Sequence, residues 1–508
     1  MHNLNVRAPN MRAFNMRSFG SRATMRTIAL YATLFSLATI ALIVFSTTGG
    51  PGYVSESYDR YRRPPIQAKP QQHRPATGSP NQPNGQDPPI SHSQSHASQW
   101  TYQYPRDARN YGLSQEQCES AFPDLYKEID RAVAWTKEKK GSVTEDDLGV
   151  GWRGDGITRA LVYDNQLYII AGHNIWDHNH RPRQLASLHS LHRAITAYPG
   201  VLPNAEFTIT DHDMALLEVW GNHTTWAYSR LEGDLAHQKS IWLMPDFGFW
   251  AWPDVNLRSY GELQRIIVDE EDEFLDKVPK IVWRGAVGPV GSKDVREGLV
   301  NAAKDQPWSD VQVLNWDNKT EIQERLLDMQ SHCGYMFLAQ TEGNTYSGRL
   351  KYLLNCHSIV VSHPLGWKEH FHHLMKPSGP DQNIIEVRRD FSDLPKKMEY
   401  LLKPKNLQRA EAIADNARST FRERYLTPAA EACYWRALIR GWSSVQGFQP
   451  ELYEMTEVPD WTTGRTKLKR RPRGAPFESF VIMEEVNWAV PAKTRHLCID
   501  DGQDPNSG

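Results

Sequence analysis

The sequence predicts an α/β fold, and three observations support this prediction. Beyond about residue 280, short apolar runs alternate with stretches of helical spacing, which is typical of a parallel sheet covered by helices on both faces. One of these runs, Tyr335–Ala339, is followed by a glycine-bearing turn and then by a further helical stretch. The chain has 508 residues, of which 40% are hydrophobic, so it has material for about two or three domains.

The individual elements follow from the spacing of apolar residues. In the first half we predict a helix over Leu185–Tyr198 and a strand over Glu206–Thr210, and near the end one or two helices over Asn406–Trp442. The strands predicted in the second half are Lys280–Trp283, Val311–Leu314, Tyr335–Ala339, Ser358–Val361 and Ile384–Val387. The helices predicted between them are Lys293–Lys304, Glu321–Met329, Leu350–Leu354 and Trp367–Leu374.

The N-terminal part has the composition of a membrane anchor followed by a spacer. Residues 1–26 form a basic tail with five arginines, and residues 27–45 are 19 uncharged, mostly apolar residues. Such a run can cross a hydrocarbon core of ~30 Å as a helix, so we assign 27–47 to a transmembrane signal anchor. A cleaved signal peptide and a mitochondrial presequence are the alternatives. Residues 48–100, rich in Pro, Gln and Ser, are predicted to be a disordered stem.

Charge and cysteine content limit the location and the partners. Basic residues before the anchor predict a single-pass type II protein of the Golgi or endoplasmic reticulum membrane, with its main part in the lumen. A formal net charge of −2 argues against nucleic-acid binding. Five cysteines without a Cys-x-x-Cys pair allow one or two disulfides, whose connectivity stays open. Sequons at Asn222 and Asn318 are consistent with the lumen.

The clearest chemical pattern lies between residues 334 and 356. A strand, a turn with Gly343 and Gly348, and a helix after Arg349 form an arrangement suited to phosphate, because a helix N-terminus presents free N–H groups and a guanidinium fits two phosphate oxygens. The glycine spacing resembles a P-loop, but Arg349 replaces the lysine and Leu350 replaces the magnesium-binding hydroxyl. We therefore predict a nucleotide diphosphate site that is not a P-loop NTPase site.

Five stretches together carry a family resemblance. They are Leu185–Arg193, Glu206–Asp213, Pro245–Pro253, Lys280–Gly285 and Thr341–Cys356. In this order they resemble glycosyltransferase family 90, the capsule-associated-protein type that includes protein O-glucosyltransferases and fungal capsule xylosyltransferases. The resemblance implies a GT-B architecture, in which two Rossmann-like domains face a cleft. It also implies inverting, metal-independent transfer of a sugar, such as glucose or xylose, from a UDP-sugar to an acceptor hydroxyl.

The resemblance divides the chain beyond the stem. We predict an acceptor-side domain at 101–276, a nucleotide-sugar-binding domain at 277–405, C-terminal helices that pack back across the domains at 406–445, and a peripheral tail at 446–508. The expected partners are a UDP-sugar donor, a protein or polysaccharide acceptor and the membrane. No cofactor is expected besides the donor substrate, and no nucleic acid.

The expected chemistry assigns roles to individual residues. Inverting transfer needs a carboxylate that takes the proton of the acceptor hydroxyl, and positive groups that stabilise the departing diphosphate. Asp213 occupies the position of the family's catalytic aspartate, and Asp211 is the less favoured alternative. The residues expected to bind the nucleotide sugar are Arg284, Gly285, Ala286, Arg296, Gly343, Asn344, Thr345, Tyr346, Ser347 and Arg349.

Alternatives stay open for function and for the aromatic residues. Asp211-His-Asp213 also matches the Asp-x-Asp motif of metal-dependent GT-A transferases, and the chain is alternatively a catalytically inactive carbohydrate-binding relative. The histidine-rich segments 173–192 and 370–373 show no established ligand spacing, so we predict no metal ligand. The aromatic stretch 247–252 is expected either to pack in the core or to line the acceptor cleft.

Overall fold

The structure is a computed structural model that describes residues 100–152, 156–173, 175, 180–215, 223–252, 255, 257–288, 291–460 and 462–484. The predicted basic tail, the signal anchor and almost all of the stem lie outside these residues. Among the helices that are described, none is both long enough and apolar enough to cross a membrane.

The described residues form a mixed α/β structure. Its α-helices are α1 (Gln115–Ala121), α2 (Lys127–Lys139), α3 (His180–Thr196), α4 (Ala236–Lys239), α5 (Tyr260–Glu270), α6 (Lys293–Ala303), α7 (Lys319–Arg325), α8 (Leu350–Leu353), α9 (Leu394–Leu401), α10 (Leu407–Thr420), α11 (Pro428–Ser443) and α12 (Phe477–Glu484). Its strands are β1 (Ile157–Tyr163), β2 (Gln166–His173), β3 (Ala205–Thr210), β4 (Trp226–Ala227), β5 (Arg230–Leu231), β6 (Trp242–Leu243), β7 (Val278–Gly285), β8 (Ser309–Val313), β9 (Tyr335–Gln340), β10 (Ile359–Ser362), β11 (Trp367–Lys368), β12 (Ile385–Glu386), β13 (Tyr453–Asp460), β14 (Arg465–Pro472) and β15 (Ala475–Pro476). Short 3₁₀ segments lie at Glu145–Leu148, Phe247–Phe249, Phe274–Asp276, Gln330–Gly334, His372–Leu374 and Pro404–Asn406, and Phe421–Tyr425 is π-helical.

The second half contains a five-stranded parallel sheet in the order β12-β10-β9-β7-β8. All five predicted strands of this half overlap observed strands, because apolar runs mark strands that are buried on both faces. β8 lies on one side of β7 and β9 lies on the other. The strand order therefore reverses between β7 and β9, and ligands in such sheets bind outside the carboxyl ends of the strands at this point.

One helix predicted in this half, Trp367–Leu374, is wrong. Trp367–Lys368 forms strand β11, which pairs with β5, and a 3₁₀ turn follows at His372–Leu374. The Trp367 N–H also donates to the buried carboxylate of Glu342 at 2.7 Å. These tertiary contacts keep the segment extended, so its local helical spacing does not decide its structure.

The first half contains a six-stranded mixed sheet in the order β15-β2-β1-β3-β4-β6. β1 and β2 form an antiparallel hairpin whose turn residues, Asp164 and Asn165, have positive φ angles of 51° and 57°, as a type I′ turn requires. β1 is also antiparallel to β3, and parallel pairing is confined to β3, β4 and β6. This sheet therefore differs from the all-parallel sheet of a Rossmann domain.

The C-terminal helices pack against the first half. The predicted helical region forms α10, the π-helical segment and α11. On α11, the Trp442 indole N–H donates to the backbone carbonyl of Glu206 in β3 at 2.8 Å. The expected peripheral tail has two parts. The hairpin of β13 and β14 is largely exposed, whereas β15 extends the first sheet at its edge and Phe477, which follows β15, is buried in the core. Residues 485–508 of the predicted tail lie outside the described part of the chain.

Two disulfides occur among the described residues. Cys118–Cys433 joins α1 to α11, and Cys333–Cys356 joins the residues before β9 to those after α8. The second disulfide closes a covalent loop around the predicted phosphate-binding turn. The prediction of one or two disulfides is confirmed.

Candidate active site

A cavity of about 130 Å³ lies at the carboxyl ends of β7 and β9, where the strand order reverses. Whole small-molecule ligands occupy about 300–1,000 Å³, so this cavity has room for part of a ligand such as a diphosphate. The predicted site residues that line it are Arg284, Gly285, Ala286, Arg296, Ser347 and Arg349. The structure thus brings together two segments that are more than 50 residues apart in sequence.

Arg349 provides an unpaired positive charge in this cavity. Within the described part of the chain, its guanidinium makes no hydrogen bond or ion pair. Burial, together with the charges of Arg296 and Arg284, lowers the pKa of Arg349 to about 10. A cation that is desolvated and repelled by two others is stabilised when an anion enters beside it.

Arg296 adds a second charge that no described carboxylate neutralises. Its guanidinium donates to the backbone carbonyls of Ala286 at 2.7 Å and Glu342 at 3.0 Å. These carbonyls lie just beyond β7 and β9, so Arg296 bridges the two strand ends. Burial lowers the pKa of Arg296. A Cβ added at Gly343 would lie 3.2 Å from this guanidinium, which explains a glycine there.

Arg284 differs from the other two arginines. It is buried, and its guanidinium pairs with Asp310 at 3.0 Å and donates to the carbonyl of Arg325 at 2.9 Å. The turn that begins with Arg284 lines the cavity. Its charge, however, is already neutralised by a carboxylate, so the structure leaves Arg296 and Arg349 as the cations available to a ligand.

The turn before α8 contributes less to the lining and the positive charge of the cavity than the sequence suggests. The Gly343 N–H donates to the Thr345 carbonyl at 3.1 Å, and exposed Asn344 accepts a hydrogen bond from the Gly291 N–H at 3.2 Å. Thr345 and Tyr346 are buried, and none of the residues 343–346 lines the cavity. Because α8 spans only four residues, its dipole is small. The guanidinium groups therefore carry most of the positive charge.

A buried ion pair joins this turn to the first half of the molecule. Lys351, two residues after Arg349, pairs with Asp246 at 2.7 Å, and each side chain is 1% exposed. Asp246 precedes the aromatic stretch 247–252, whose Phe247 and Phe249 are buried. These two rings pack in the core and do not form a wall of an open cleft.

Asp213 lies after β3 and is 40% exposed. Its carboxylate pairs with Arg183 of α3 at 3.0 Å, and the Arg183 guanidinium lies 5.0 Å from the centre of the Phe247 ring. The Ser229 hydroxyl donates to the Asp213 backbone carbonyl at 3.2 Å, which fixes the loop. Asp213 is therefore an accessible carboxylate held in place from two sides.

Asp213 lies within electrostatic range of the turn that carries Arg349. The pKa of Tyr346 is raised well above its ordinary value, by burial first, then by Asp246 and by Asp213. The Tyr346 ring also lies 6.4 Å from that of Tyr228, which follows β4. Tyr346 therefore connects the surroundings of Asp213 with those of the cavity.

Asp211 is held differently from Asp213. It is 1% exposed, and its Oδ1 lies 2.9 Å from Nδ1 of His180. Burial raises the pKa of Asp211 to about 7 against the opposing effect of His180. The two carboxylates thus have different partners, His180 for Asp211 and Arg183 for Asp213. Asp211 instead shares a possible metal-binding group with His180 and His212.

Comparison with known proteins identifies the family of the chain. The sequence profile described as Glycosyl transferase family 90 matches residues 114–482, well over half of the chain. The chain belongs to glycosyl transferase family 90. An Anopheles gambiae protein named O-glucosyltransferase rumi homolog is 26% identical over 219 residues, which is 39% of this chain and 51% of that relative. The aligned part thus spans about half the length of the relative.

Sequence reasoning missed several residues of this candidate site. Arg183 is the partner of Asp213, and Trp316, 55% exposed, lines the cavity mouth. Neither carries a local pattern, because their roles arise only when distant segments meet. The pairing of Lys351 with Asp246, 105 residues apart, is equally non-local.

A larger cavity of about 730 Å³ lies elsewhere on this family 90 protein, beside α9 and α10. Its lining includes Lys397, which pairs with Asp393 at 3.0 Å, and it includes none of the predicted site residues. Size alone therefore does not identify the site. The smaller cavity has the strand-end position and two half-buried cations, Arg296 and Arg349, whereas Arg388, Lys396 and Arg409 of the larger cavity are exposed.

Proposed function

We propose that this protein is an inverting GT-B glycosyltransferase that moves glucose or xylose from a UDP-sugar to an acceptor hydroxyl. The observation that carries the proposal is the Arg349 guanidinium, which has no acceptor in the part of the chain that the structure describes and lies in a cavity at the switch point of a parallel sheet. The parallel sheet of the second half supports one of the two Rossmann-like domains of the GT-B assignment, and the first half contributes a separate, mixed sheet. The name of the Anopheles relative, O-glucosyltransferase rumi homolog, supports glucose as the sugar.

The diphosphate is the ligand group that best matches the cavity. Arg349 and Arg296 bring two positive charges into a space of about 130 Å³ with no described carboxylate to neutralise them. Guanidinium groups bind phosphate oxygens through paired, charge-assisted hydrogen bonds. Ser347 lines the same cavity and supplies a hydroxyl donor. In this proposal no metal ion holds the diphosphate.

The reaction is a single displacement. Asp213 takes the proton of the acceptor hydroxyl as the acceptor oxygen forms a bond to the anomeric carbon of the sugar. The bond from that carbon to the phosphate oxygen breaks at the same time, and the UDP leaves with its added negative charge beside Arg349 and Arg296. Because the acceptor attacks opposite the leaving group, the anomeric configuration inverts.

We further propose that the catalytic part acts in the lumen of the Golgi or endoplasmic reticulum, on a protein or polysaccharide acceptor, as a type II membrane protein. The two disulfides support an oxidising compartment. The sequon residue Asn318 is exposed, which is compatible with a glycan. The anchor itself rests on the composition of residues 27–47.

The test measures release of the nucleoside diphosphate by the full chain with UDP-glucose, UDP-xylose, UDP-galactose or GDP-mannose, and UDP binding by calorimetry, each with and without EDTA. We expect turnover with UDP-glucose or UDP-xylose, and we expect EDTA to leave UDP binding intact. Dependence of UDP binding on Mn²⁺ would favour the GT-A alternative. Absence of turnover with every donor and acceptor, despite UDP binding, would favour an inactive relative.

The matched variants are Arg349→Ala, Arg349→Lys and Arg465→Ala. Loss of the guanidinium that faces the leaving group should lower turnover ~100-fold or more. Arg349→Lys should recover part of this loss, because it keeps the charge without the planar fork. Arg465 lies exposed in β14, so its replacement controls for loss of one surface charge.

A further inference from the structure

Three side chains next to Asp213 form a compact group of metal-ligand type. His180 begins α3, and Asp211 and His212 follow β3. One ligand atom from each lies within 4.8 Å of those of the other two. The imidazole rings of His180 and His212 are 4.7 Å apart between centres. The fold therefore brings two imidazoles and a carboxylate to one point.

The buried carboxylate of Asp211 has an unused oxygen. Its Oδ1 faces His180, whereas its Oδ2 is buried and has no hydrogen-bond partner among the described residues. Leaving a carboxylate oxygen buried without a partner is costly, so such an oxygen in a native structure indicates a bound ion or water. This observation is independent of the spacing of the three ligands.

Gly156 provides a close backbone wall on one side of the group. It has a positive φ of 57°. A Cβ at this position would contact Oδ1 of Asp211, and it would lie 2.7 Å from Nδ1 of His180 and 2.9 Å from Cδ2 of His212. A side chain at 156 would therefore fill the space among the three ligand residues.

We infer that His180, Asp211 and His212 bind one divalent first-row transition-metal ion, with zinc as the best match. Imidazole nitrogens and a carboxylate oxygen are the ligands that zinc uses in sites with three protein ligands, where water takes the remaining position. Mg²⁺ and Ca²⁺ prefer all-oxygen ligands, so two imidazoles select against them.

The ion has a structural role beside the proposed base. It links the first residue of α3 to the end of β3, and Arg183 and Asp213 lie on these two elements, a few residues from the ligands. The bound ion thereby holds Arg183 and Asp213 at 3.0 Å from each other. This role rests on the proposed function, whereas the metal site itself does not.

The test is metal binding by the full chain, freed of metal with a chelator and titrated with Co²⁺ and then Zn²⁺. We expect the visible absorption of bound Co²⁺ at one ion per chain, and its loss when Zn²⁺ displaces the cobalt. His212→Ala should bind Co²⁺ at least ~10-fold more weakly, since even loss of a group behind a ligand costs ~10–100-fold.

Two further variants separate the metal site from a simple hydrogen bond. His180→Asn keeps a donor facing Asp211 but removes the imidazole, so it should also weaken Co²⁺ binding. His192→Ala is the control, because His192 lies on the same helix and pairs with Glu478 at the surface. Unchanged Co²⁺ binding in both His180→Asn and His212→Ala, or no binding by the wild-type chain, would overturn the inference.

UDP affinity distinguishes this inference from the proposed function. Arg349→Ala should weaken UDP binding and leave the Co²⁺ spectrum unchanged, whereas His212→Ala should do the reverse. If UDP binding required the metal ion, the ion would hold the diphosphate, and its assignment to a structural role would be wrong.

Discussion

The cavity around Arg349 and the surroundings of Asp213 differ in how their charges are balanced. Arg349 and Arg296 have no carboxylate partner among the described residues, whereas Asp213 is paired with Arg183 at 3.0 Å. The cavity is thus electrostatically incomplete without an anion, but Asp213 already has its counter-charge. This difference matches the proposed ligands, because a diphosphate is a permanent anion and an acceptor hydroxyl is neutral.

The largest expected effect is on kcat, and it distinguishes the role of Asp213 from that of the cavity around Arg349. Asp213→Asn removes the proposed base and should lower kcat ~10²–10⁴-fold, while UDP affinity stays the same. Steady-state kinetics and calorimetry with UDP measure the two quantities. Asp234→Asn, at an exposed carboxylate, is the control. Wild-type turnover in Asp213→Asn would remove this residue from the mechanism.

The buried ion pair of Lys351 and Asp246 connects the turn beside the cavity with the first half of the molecule, and replacing Lys351 breaks it. Lys351→Ala leaves the buried carboxylate of Asp246 without its partner and should lower the free energy of unfolding by ~3–5 kcal/mol. Lys368→Ala breaks the exposed pair with Glu232 and should cost less than ~1 kcal/mol. Denaturant titrations of both variants provide the comparison. Equal losses would mean that the buried pair does not hold the two regions together.

The smallest expected effect on turnover comes from removing a glycan, and this experiment tests the compartment of both regions. If the catalytic part is luminal, Asn318 can carry a glycan, and Thr320→Ala should remove it while the Asn318 side chain still caps α7. The measurement is the shift in electrophoretic mobility after glycosidase treatment. Turnover should change less than ~2-fold, because loss of one surface feature has little effect on stability. An unglycosylated wild-type chain would count against the lumen.

Local patterns explain which parts of the fold could be predicted. The strands of the second sheet were recognisable because parallel strands are buried on both faces and read as apolar runs. The segment Trp367–Leu374 was misassigned because pairing with β5 overrides its helical spacing. The antiparallel hairpin of the first sheet depends on the turn at Asp164 and Asn165, which the pattern of apolar residues does not reveal.

The candidate site likewise contains residues that could be predicted from local patterns and residues that could not. Arg349 could be predicted because a strand, a turn and a basic residue follow one another within a short stretch. The pairing of Arg284 with Asp310 could not, since it depends on which neighbour β7 receives in the sheet. His180 and Asp211 are 31 residues apart, so their contact has no spacing pattern. Charge partners are therefore the least predictable part of the site.

The most direct test of the unpaired guanidinium is calorimetric UDP binding to the full chain and to Arg349→Ala, in EDTA, with Arg465→Ala as the control. Loss of charge-assisted hydrogen bonds worth ~1.5–3 kcal/mol predicts UDP binding that is ~10–100-fold weaker in Arg349→Ala and unchanged in Arg465→Ala. Equal UDP affinity in the wild-type chain and Arg349→Ala would contradict the assignment of this cavity to the diphosphate.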